Sequence, residues 1–185
     1  MSDPTKGPIL PPESPNLYLI GFMGTGKSVV GQKVAELLQL PFMDSDQQIE
    51  ERAGLSIPEI FQQYGESHFR ELERRFVMEE QPRYGAVISC GGGLVTSPEL
   101  RKVIKEMGVV VVLYASVEII LQRIAGDANR PLMKTDNPEG RIRELLQQRE
   151  SAYKEAGVGI MTDGHSIAQV AEHVVRIYLD KCPQK

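Results

Sequence analysis

Residues 17–28 read LYLIGFMGTGKS, and this stretch determines most of what the sequence says about the fold. Its last eight letters match G-x-x-x-x-G-K-[ST], a pattern in which backbone amides turn inward around a phosphate. The apolar residues before it predict a strand, and a helical pattern follows from Lys27 to Leu38. We therefore predict a nucleoside triphosphate site in which Lys27 neutralises phosphate charge and Ser28 ligates Mg²⁺. The alternative is a glycine-rich turn with a surface lysine.

Outward from this stretch, short apolar runs alternate with longer helical patterns. The further runs lie at 41–43, 86–90, 109–114 and, more weakly, 159–161. Such alternation predicts an α/β layer fold with a mostly parallel sheet. Helix starts are marked by Ser56 with Glu59, a capping-box spacing, and by a cap before a first-turn proline at 97–98 and at 137–138.

The composition is that of a soluble globular protein with one domain in its 185 residues. We predict a mobile proline-rich tail at 1–15 and a single domain at 16–185, since five prolines in the tail remove backbone donors.

The net charge of −4 gives no indication of binding to nucleic acid or to an anionic membrane. The longest apolar run, 109–115, is too short to span a bilayer. Two distant cysteines make no disulfide framework, which indicates a reducing cytoplasm.

Two motifs follow predicted strands, at the sheet edge where α/β proteins bind ligands. Asp44 and Asp46 end the second apolar run, and one carboxylate can hold Mg²⁺ through water while the other accepts a hydroxyl proton. The alternative, that Ser45 or Asp46 caps the next helix, fits the spacing equally well. A glycine triplet at 91–93 follows the third run, and it either lets backbone amides approach a ligand or forms a turn.

A long polar segment at 126–137 separates two helical patterns and is predicted to be a lid. Arg130, within it, is placed to close over a transferring phosphate. The spacing of Arg70 and Glu66 fits an exposed ion pair at i,i+4, and Arg149 can likewise be an exposed helix residue.

The residues alone leave three classes of protein open: a small-molecule kinase, an ATPase and a nonenzymatic nucleotide binder. Switch-GTPase and protein-kinase signatures are absent.

Taken together and in chain order, these motifs resemble the shikimate kinase family from about residue 16 to about residue 178. The residues that carry the resemblance are 21–28, 44–46, SIPEIF at 56–61, Gly65-Glu66, Phe69-Arg70, Glu73, 91–93, Arg130-Pro131-Leu132, Arg149 and Tyr153. The resemblance implies a P-loop kinase fold of the nucleoside monophosphate kinase type, with a five-stranded parallel sheet in order 2-3-1-4-5, flanking helices and a flexible lid. It also implies transfer of the ATP γ-phosphate to the 3-hydroxyl of shikimate, with Mg²⁺, in chorismate biosynthesis.

The resemblance assigns the nucleotide and metal roles by position. Arg123 would stack on adenine, Arg130 would close on the ATP phosphates, and Asp44 would reach Mg²⁺ through water while Ser28 binds it directly. The remaining ATP-binding residues would be Gly24, Thr25, Gly26, Lys27, Ser28 and Val29. Val29 departs from the family, which has a second hydroxyl residue there, so we expect weaker nucleotide binding.

The substrate roles are assigned in the same way. Asp46 would orient the substrate hydroxyls and take the proton, which makes it catalytic together with Lys27 and Arg130. Arg70 and Arg149 would grip the shikimate carboxylate. The backbone of the triplet Gly91, Gly92 and Gly93 would meet the ring hydroxyls.

Two alternatives to this function are a P-loop kinase for another small metabolite and a catalytically silent binding or regulatory module. The expected partners are ATP and shikimate, without nucleic acid or membrane, for a cytoplasmic monomer.

Overall fold

The structure, a computed structural model, describes residues 10–125 and 136–182 and has a five-stranded sheet at its centre. The strands are β1 (Asn16–Gly21), β2 (Phe42–Asp44), β3 (Val87–Ser89), β4 (Gly108–Tyr114) and β5 (Val158–Met161). All neighbouring pairs are parallel, in the order β2-β3-β1-β4-β5. The predicted α/β class and strand order are confirmed, and each predicted strand differs from the observed one by only one or two residues at its ends.

Seven α-helices lie in the described part of the chain. They are α1 (Lys27–Leu38), α2 (Ser45–Ala53), α3 (Ile57–Arg75), α4 (Pro98–Met107), α5 (Val117–Ile124), α6 (Pro138–Ala156) and α7 (Ile167–Lys181). The predicted caps are present: Ser56 and Glu59 form a capping box, and the Asn137 side chain accepts from Gly140 N at 2.9 Å. Within residues 10–125 and 136–182, none of the helices is long and apolar enough to cross a membrane.

The helices cover both faces of the sheet, and the alternation of side chains along β1 shows how. Leu17 and Leu19 face α1 and α7, whereas Tyr18 and Ile20 face α3, α4 and α6. All four side chains are fully buried, and burial of each contributes about 1.5–3 kcal/mol. With both faces covered, the loops at the carboxyl ends of the strands are the exposed part of the sheet, and the predicted site motifs lie there.

Helix α3 is divided by a kink at Gly65. The backbone there has φ 80° and ψ 175°, a conformation that glycine adopts without the strain a Cβ would cause. The part before the kink carries Phe61, and the part after it carries Arg70 and Glu73. A π-helical turn, Phe76–Glu80, continues the second part. The kink therefore sets the direction of the segment that brings Arg70 to the sheet.

Residues 10–15, within the segment predicted to be a mobile tail, form hydrogen bonds with the rest of the fold. Ser14 is 3% exposed, its Oγ donates to the Pro11 carbonyl oxygen at 2.7 Å, and its own carbonyl oxygen accepts from Gly85 N at 2.8 Å. The Tyr178 hydroxyl donates to the Pro15 carbonyl oxygen at 2.7 Å. Proline lacks a backbone donor but keeps its acceptor, so a proline-rich segment can still be held by donors from the folded body. Residues 1–9 lie outside the described residues.

Candidate active site

The phosphate-loop motif passes from β1 to α1 through three glycines with positive φ. The angles are 155° at Gly21, 79° at Gly24 and 94° at Gly26, where a side chain would strain the backbone. Thr25 closes the turn, because its Oγ1 donates to the Phe22 carbonyl oxygen at 2.7 Å. The strand, loop and helix predicted from residues 17–28 are thus present in that order.

The N-terminus of α1 has the features of an anion site. Gly26 occupies the N-cap without a capping side chain, and the first turn carries no acidic residue. The backbone N–H groups there have no partner within the helix, and the helix dipole adds positive partial charge. Lys27 contributes a full charge, and its Nζ donates to the Phe22 carbonyl oxygen at 3.2 Å. These features suit a phosphate group.

Arg123 on α5 links the phosphate loop to the end of β5. Its Nη1 donates to the Gly24 carbonyl oxygen at 3.0 Å and to Thr162 Oγ1 at 3.3 Å. Val29, near the start of α1, is 48% exposed. The predicted nucleotide-binding residues that the structure describes therefore form or border one loop.

Asp44 and Ser28 bring two oxygen ligands together across the sheet edge. Ser28 Oγ donates to Asp44 Oδ2 at 2.7 Å, and Asp44 Oδ1 accepts from Asp46 N at 3.1 Å. Asp44 is therefore the N-cap of α2, and the suggestion that Ser45 or Asp46 caps this helix is wrong. The cause is that the chain is still extended at Asp44, with φ −108° and ψ 118°, as an N-cap requires. A hydroxyl and a carboxylate are the hard oxygen donors that Mg²⁺ prefers, so the residues present fit this ion.

The glycine triplet is surrounded by the side chains predicted to bind substrate. A Cβ on Gly91 would lie 2.9 Å from Asp46 Oδ1 and 3.2 Å from Glu73 Oε1. A Cβ on Gly93 would lie 2.7 Å from Arg70 Nη2. These distances are shorter than normal contacts, so glycine is needed for the carboxylates and the guanidinium to approach the backbone this closely.

Arg70 makes two ion pairs on α3. Its Nη2 donates to Glu66 Oε1 at 2.8 Å, as the i,i+4 interpretation predicts, and its Nη1 donates to Glu73 Oε2 at 2.6 Å. Glu66 is exposed, whereas Glu73 is buried. The exposed pair with Glu66 fits the interpretation of Arg70 as a surface residue. The buried pair with Glu73, beside the triplet, fits the interpretation of Arg70 as a residue of the ligand site.

Glu73 also belongs to this site, although the family resemblance assigns it no role. Its side chain is 1% exposed, and burial raises its pKa to about 7, with a further increase from the charge of Asp46. The positive charges of Arg70 and Arg149 act in the opposite direction. The signal in the sequence was its i,i+3 spacing from Arg70, but an exposed ion pair on a helix has the same spacing.

Arg149 on α6 lies beside the phosphate loop. Its Cζ is 5.6 Å from the centre of the Phe22 ring, a cation–π distance. Tyr153, one turn later, is fully buried, and its hydroxyl is 2.6 Å from where a Cβ on Gly92 would lie. Since both guanidinium groups act on buried Glu73, Arg70 and Arg149 approach the same pocket from different helices.

The remaining predicted residues are placed as follows. Arg130 and most of the predicted lid, 126–135, lie outside the described residues. Cys90 is buried beside the site, and burial raises the pKa of its thiol, so Cys90 is a small core residue and not an activated nucleophile.

Comparisons with known proteins give one consistent family. A family model described as shikimate kinase matches residues 23–178. The chain is 43% identical over 164 residues to a shikimate kinase of Caldanaerobacter subterraneus subsp. tengcongensis, covering 89% of this chain and 96% of that protein. It is 44% identical over 163 residues to a shikimate kinase of Thermodesulfovibrio yellowstonii, covering 88% and 94%.

Solved structures agree with the sequence matches. The shikimate kinase from Acinetobacter baumannii in complex with shikimate gives a TM-score of 0.85 at 41% identity, covering 90% of this chain and 93% of that one. A gluconokinase from Sinorhizobium meliloti, 16% identical with a TM-score of 0.51, shares the fold alone. Because the family model and the relatives span most of the chain, the protein belongs to the shikimate kinase family.

Proposed function

We propose that this protein transfers the γ-phosphate of ATP to the 3-hydroxyl of shikimate in an Mg²⁺-dependent reaction. The observation that carries the proposal is the convergence of Asp46, Arg70 and Glu73 on the triplet, next to the phosphate loop that holds Lys27. One half of this arrangement suits a triphosphate and the other suits a small hydroxy acid. Members of this family use ATP as co-substrate.

On the nucleotide side, the amides of 24–29 and the Lys27 ammonium would bind the β and γ phosphates. Positive charge at these positions stabilises the negative charge that spreads over the phosphoryl oxygens during transfer. Arg123 would release the Gly24 carbonyl oxygen and stack on the adenine. Arg130 would add a further positive charge when the segment at 126–137 closes.

Ser28 and Asp44 would hold Mg²⁺, the serine directly and the aspartate through water. When bound, the ion neutralises phosphate charge and orients the terminal phosphate. Its binding would replace the present hydrogen bond between Ser28 Oγ and Asp44 Oδ2. The same bond places the two oxygens on one side of the loop.

On the substrate side, Arg70 and Arg149 would bind the carboxylate, because a guanidinium fork matches the two carboxylate oxygens. Asp46 would accept a hydrogen bond from the 3-hydroxyl, align its oxygen with the γ-phosphorus and take its proton. The backbone of 91–93 would meet the other ring hydroxyls. The arrangement thus fixes both ends of the acceptor molecule.

An ADP-release assay tests the function directly. With Mg²⁺ and ATP, shikimate should give rapid ADP release, while other hydroxy acids and nucleoside monophosphates should give little. ADP release with a different acceptor would favour a kinase for another small metabolite. No release with any acceptor, despite measurable nucleotide binding, would favour a catalytically silent module.

The cytoplasmic location, the monomeric state and the lack of a nucleic-acid partner stay predictions from the sequence, as does the single domain at 16–185. The location follows from the two distant cysteines, and the lack of a nucleic-acid partner follows from the charge of −4. The single domain follows from the length of 185 residues, and the monomer follows from the resemblance to a family of compact kinases. Light scattering of the purified chain would test the monomer.

A further inference from the structure

The substrate pocket is balanced in charge before an anionic substrate enters. Two guanidinium groups, Arg70 and Arg149, are accompanied by two carboxylates, Asp46 and Glu73. A substrate that brings another carboxylate to the arginines leaves the pocket with an excess negative charge. In a buried place such an excess is costly, and protonation of one carboxylate relieves it.

Glu73 is the carboxylate whose position suits this protonation. Its Oε2 accepts from Arg70 Nη1 at 2.6 Å, whereas its Oε1 is buried and has no hydrogen-bond partner among residues 10–125 and 136–182. Burying a carboxyl oxygen that accepts no hydrogen bond costs less free energy when the group is the neutral acid than when it is the carboxylate anion. Oε1 also lies on the side of the triplet where Asp46 approaches, since both reach the space next to Gly91.

Titratable and charged groups face Glu73 from several elements, and three of them act on its charge: Arg70, Asp46 and Arg149. From α3, Arg70 pairs with it directly and Glu66 pairs with the same guanidinium. From α2 comes the negative charge of Asp46, and from α6 the positive charge of Arg149. The Cys90 thiol also lies nearby, after β3, and burial raises the thiol's pKa. Burial and the charges of Arg70, Asp46 and Arg149 together give Glu73 a pKa of about 7.

We infer that Glu73 takes up a proton from solvent when an anionic substrate binds to Arg70 and Arg149. This inference rests on the proposed function, because it needs a carboxylate substrate in this pocket. The substrate carboxylate competes with Glu73 for Arg70 and repels it directly, and both effects favour the neutral acid. No bond of the substrate changes in this step, and the proton comes from water or buffer.

The pH dependence follows from linkage. Below about pH 6, Glu73 already holds its proton in the free protein, so binding takes up almost none. Above neutral pH, the free protein has an ionised Glu73 and the complex a protonated one, so uptake rises and affinity falls with increasing pH. At still higher pH both forms are ionised and uptake disappears. Proton uptake therefore has a maximum slightly above neutral pH.

Calorimetric titration with shikimate in two buffers of different ionisation enthalpy measures this uptake. The titration is done without nucleotide, so that no catalytic proton is released, and the substrate carboxyl, with an ordinary pKa of about 4, stays ionised. We expect an uptake of roughly half a proton per bound shikimate near pH 7.5 and almost none near pH 5.5. Wild-type protein that binds shikimate with no proton exchange at pH 7.5 would overturn the inference.

Two variants assign the proton to a residue. Glu73→Gln keeps the shape of the side chain but cannot titrate, so uptake should disappear and the affinity should no longer fall between pH 7 and 8. Glu66→Gln is the matched control, because Glu66 pairs with the same arginine from an exposed position. The proton uptake of this variant on shikimate binding should equal that of the wild type. Uptake that persists in a folded Glu73→Gln protein would overturn the assignment. Absence of shikimate binding and of ADP release in the wild type would instead contradict the proposed function.

Discussion

The Ser28 hydroxyl donates a hydrogen bond to the Asp44 carboxylate at 2.7 Å, and this bond joins the first turn of α1 to the end of β2. The two residues are far apart in sequence, and parallel strand packing brings them together. The bond holds the proposed metal ligand Ser28 and the Asp44 carboxylate together beside the phosphate loop. Mutation of Ser28 therefore tests the proposed metal site directly.

The first prediction concerns this pair. Ser28→Ala removes a direct Mg²⁺ ligand, so we expect half-maximal activity to require roughly 10- to 100-fold more Mg²⁺. An Mg²⁺ titration of ADP release measures it. Ser97→Ala is the control, since Ser97 Oγ only caps α4. That variant should lose about 1 kcal/mol of folding stability and keep the wild-type Mg²⁺ requirement. Equal Mg²⁺ requirements in both variants would exclude Ser28 as a ligand.

The second prediction concerns Asp46. Asp46→Asn retains size and the backbone N–H bonded to Asp44, but it removes the proton acceptor, so turnover should fall about 10²- to 10⁴-fold. Nucleotide affinity should stay close to the wild type, as measured by calorimetry with ADP. Glu51→Gln, an exposed change on the same helix, serves as control. Near-normal turnover of the Asp46 variant would refute the assigned role.

The third prediction concerns recognition of the substrate carboxylate. Arg70→Lys keeps the charge but loses the planar fork, so KM for shikimate should rise about 10- to 100-fold, with a smaller effect on KM for ATP. Arg74→Lys, one turn further along α3, should change neither value, because Arg74 pairs with Glu99 at the surface. A KM for shikimate that stays at the wild-type value would show that Arg70 does not bind the carboxylate.

The fourth prediction tests the departure at residue 29. Val29→Thr restores a hydroxyl beside the phosphate loop, and one added hydrogen bond of about 0.5–1.5 kcal/mol should tighten ATP binding about 2- to 10-fold. Val29→Ala separates the hydroxyl from the change in size and should bring no such gain. Fluorescence titration with a nucleotide analogue measures both. Equal affinities of the Thr and Val proteins would mean that the backbone amide alone serves this position.

The parts of the fold that depend on local sequence could be predicted. The phosphate loop, the start of α1 at Lys27 and the five strands follow from glycine positions and apolar runs, and the structure confirms them. The strand order could not be derived from these patterns, because it depends on which crossovers pack best; it came from the family resemblance.

The parts that depend on tertiary packing were predicted less well. Glu73 was part of the family resemblance without a role of its own, because its burial arises only when α3 packs against the triplet. The alternative interpretation of the acidic pair placed the cap of α2 at Ser45 or Asp46 instead of Asp44, since spacing does not show where the strand ends. The hydrogen bond from Tyr178 to the Pro15 carbonyl oxygen could not be predicted either, because the two residues are far apart in sequence. The roles assigned to site residues stay predictions.

The contact between Pro15 and Tyr178 has a practical consequence. It lies at the amino edge of the sheet, since Asn16 begins β1 and α7 runs back from the end of β5. The phosphate loop and the triplet lie at the opposite edge. The described residues therefore begin and end on the side of the sheet that faces away from the substrate pocket, and the contact between Pro15 and Tyr178 ties these two ends together without occupying the ligand side.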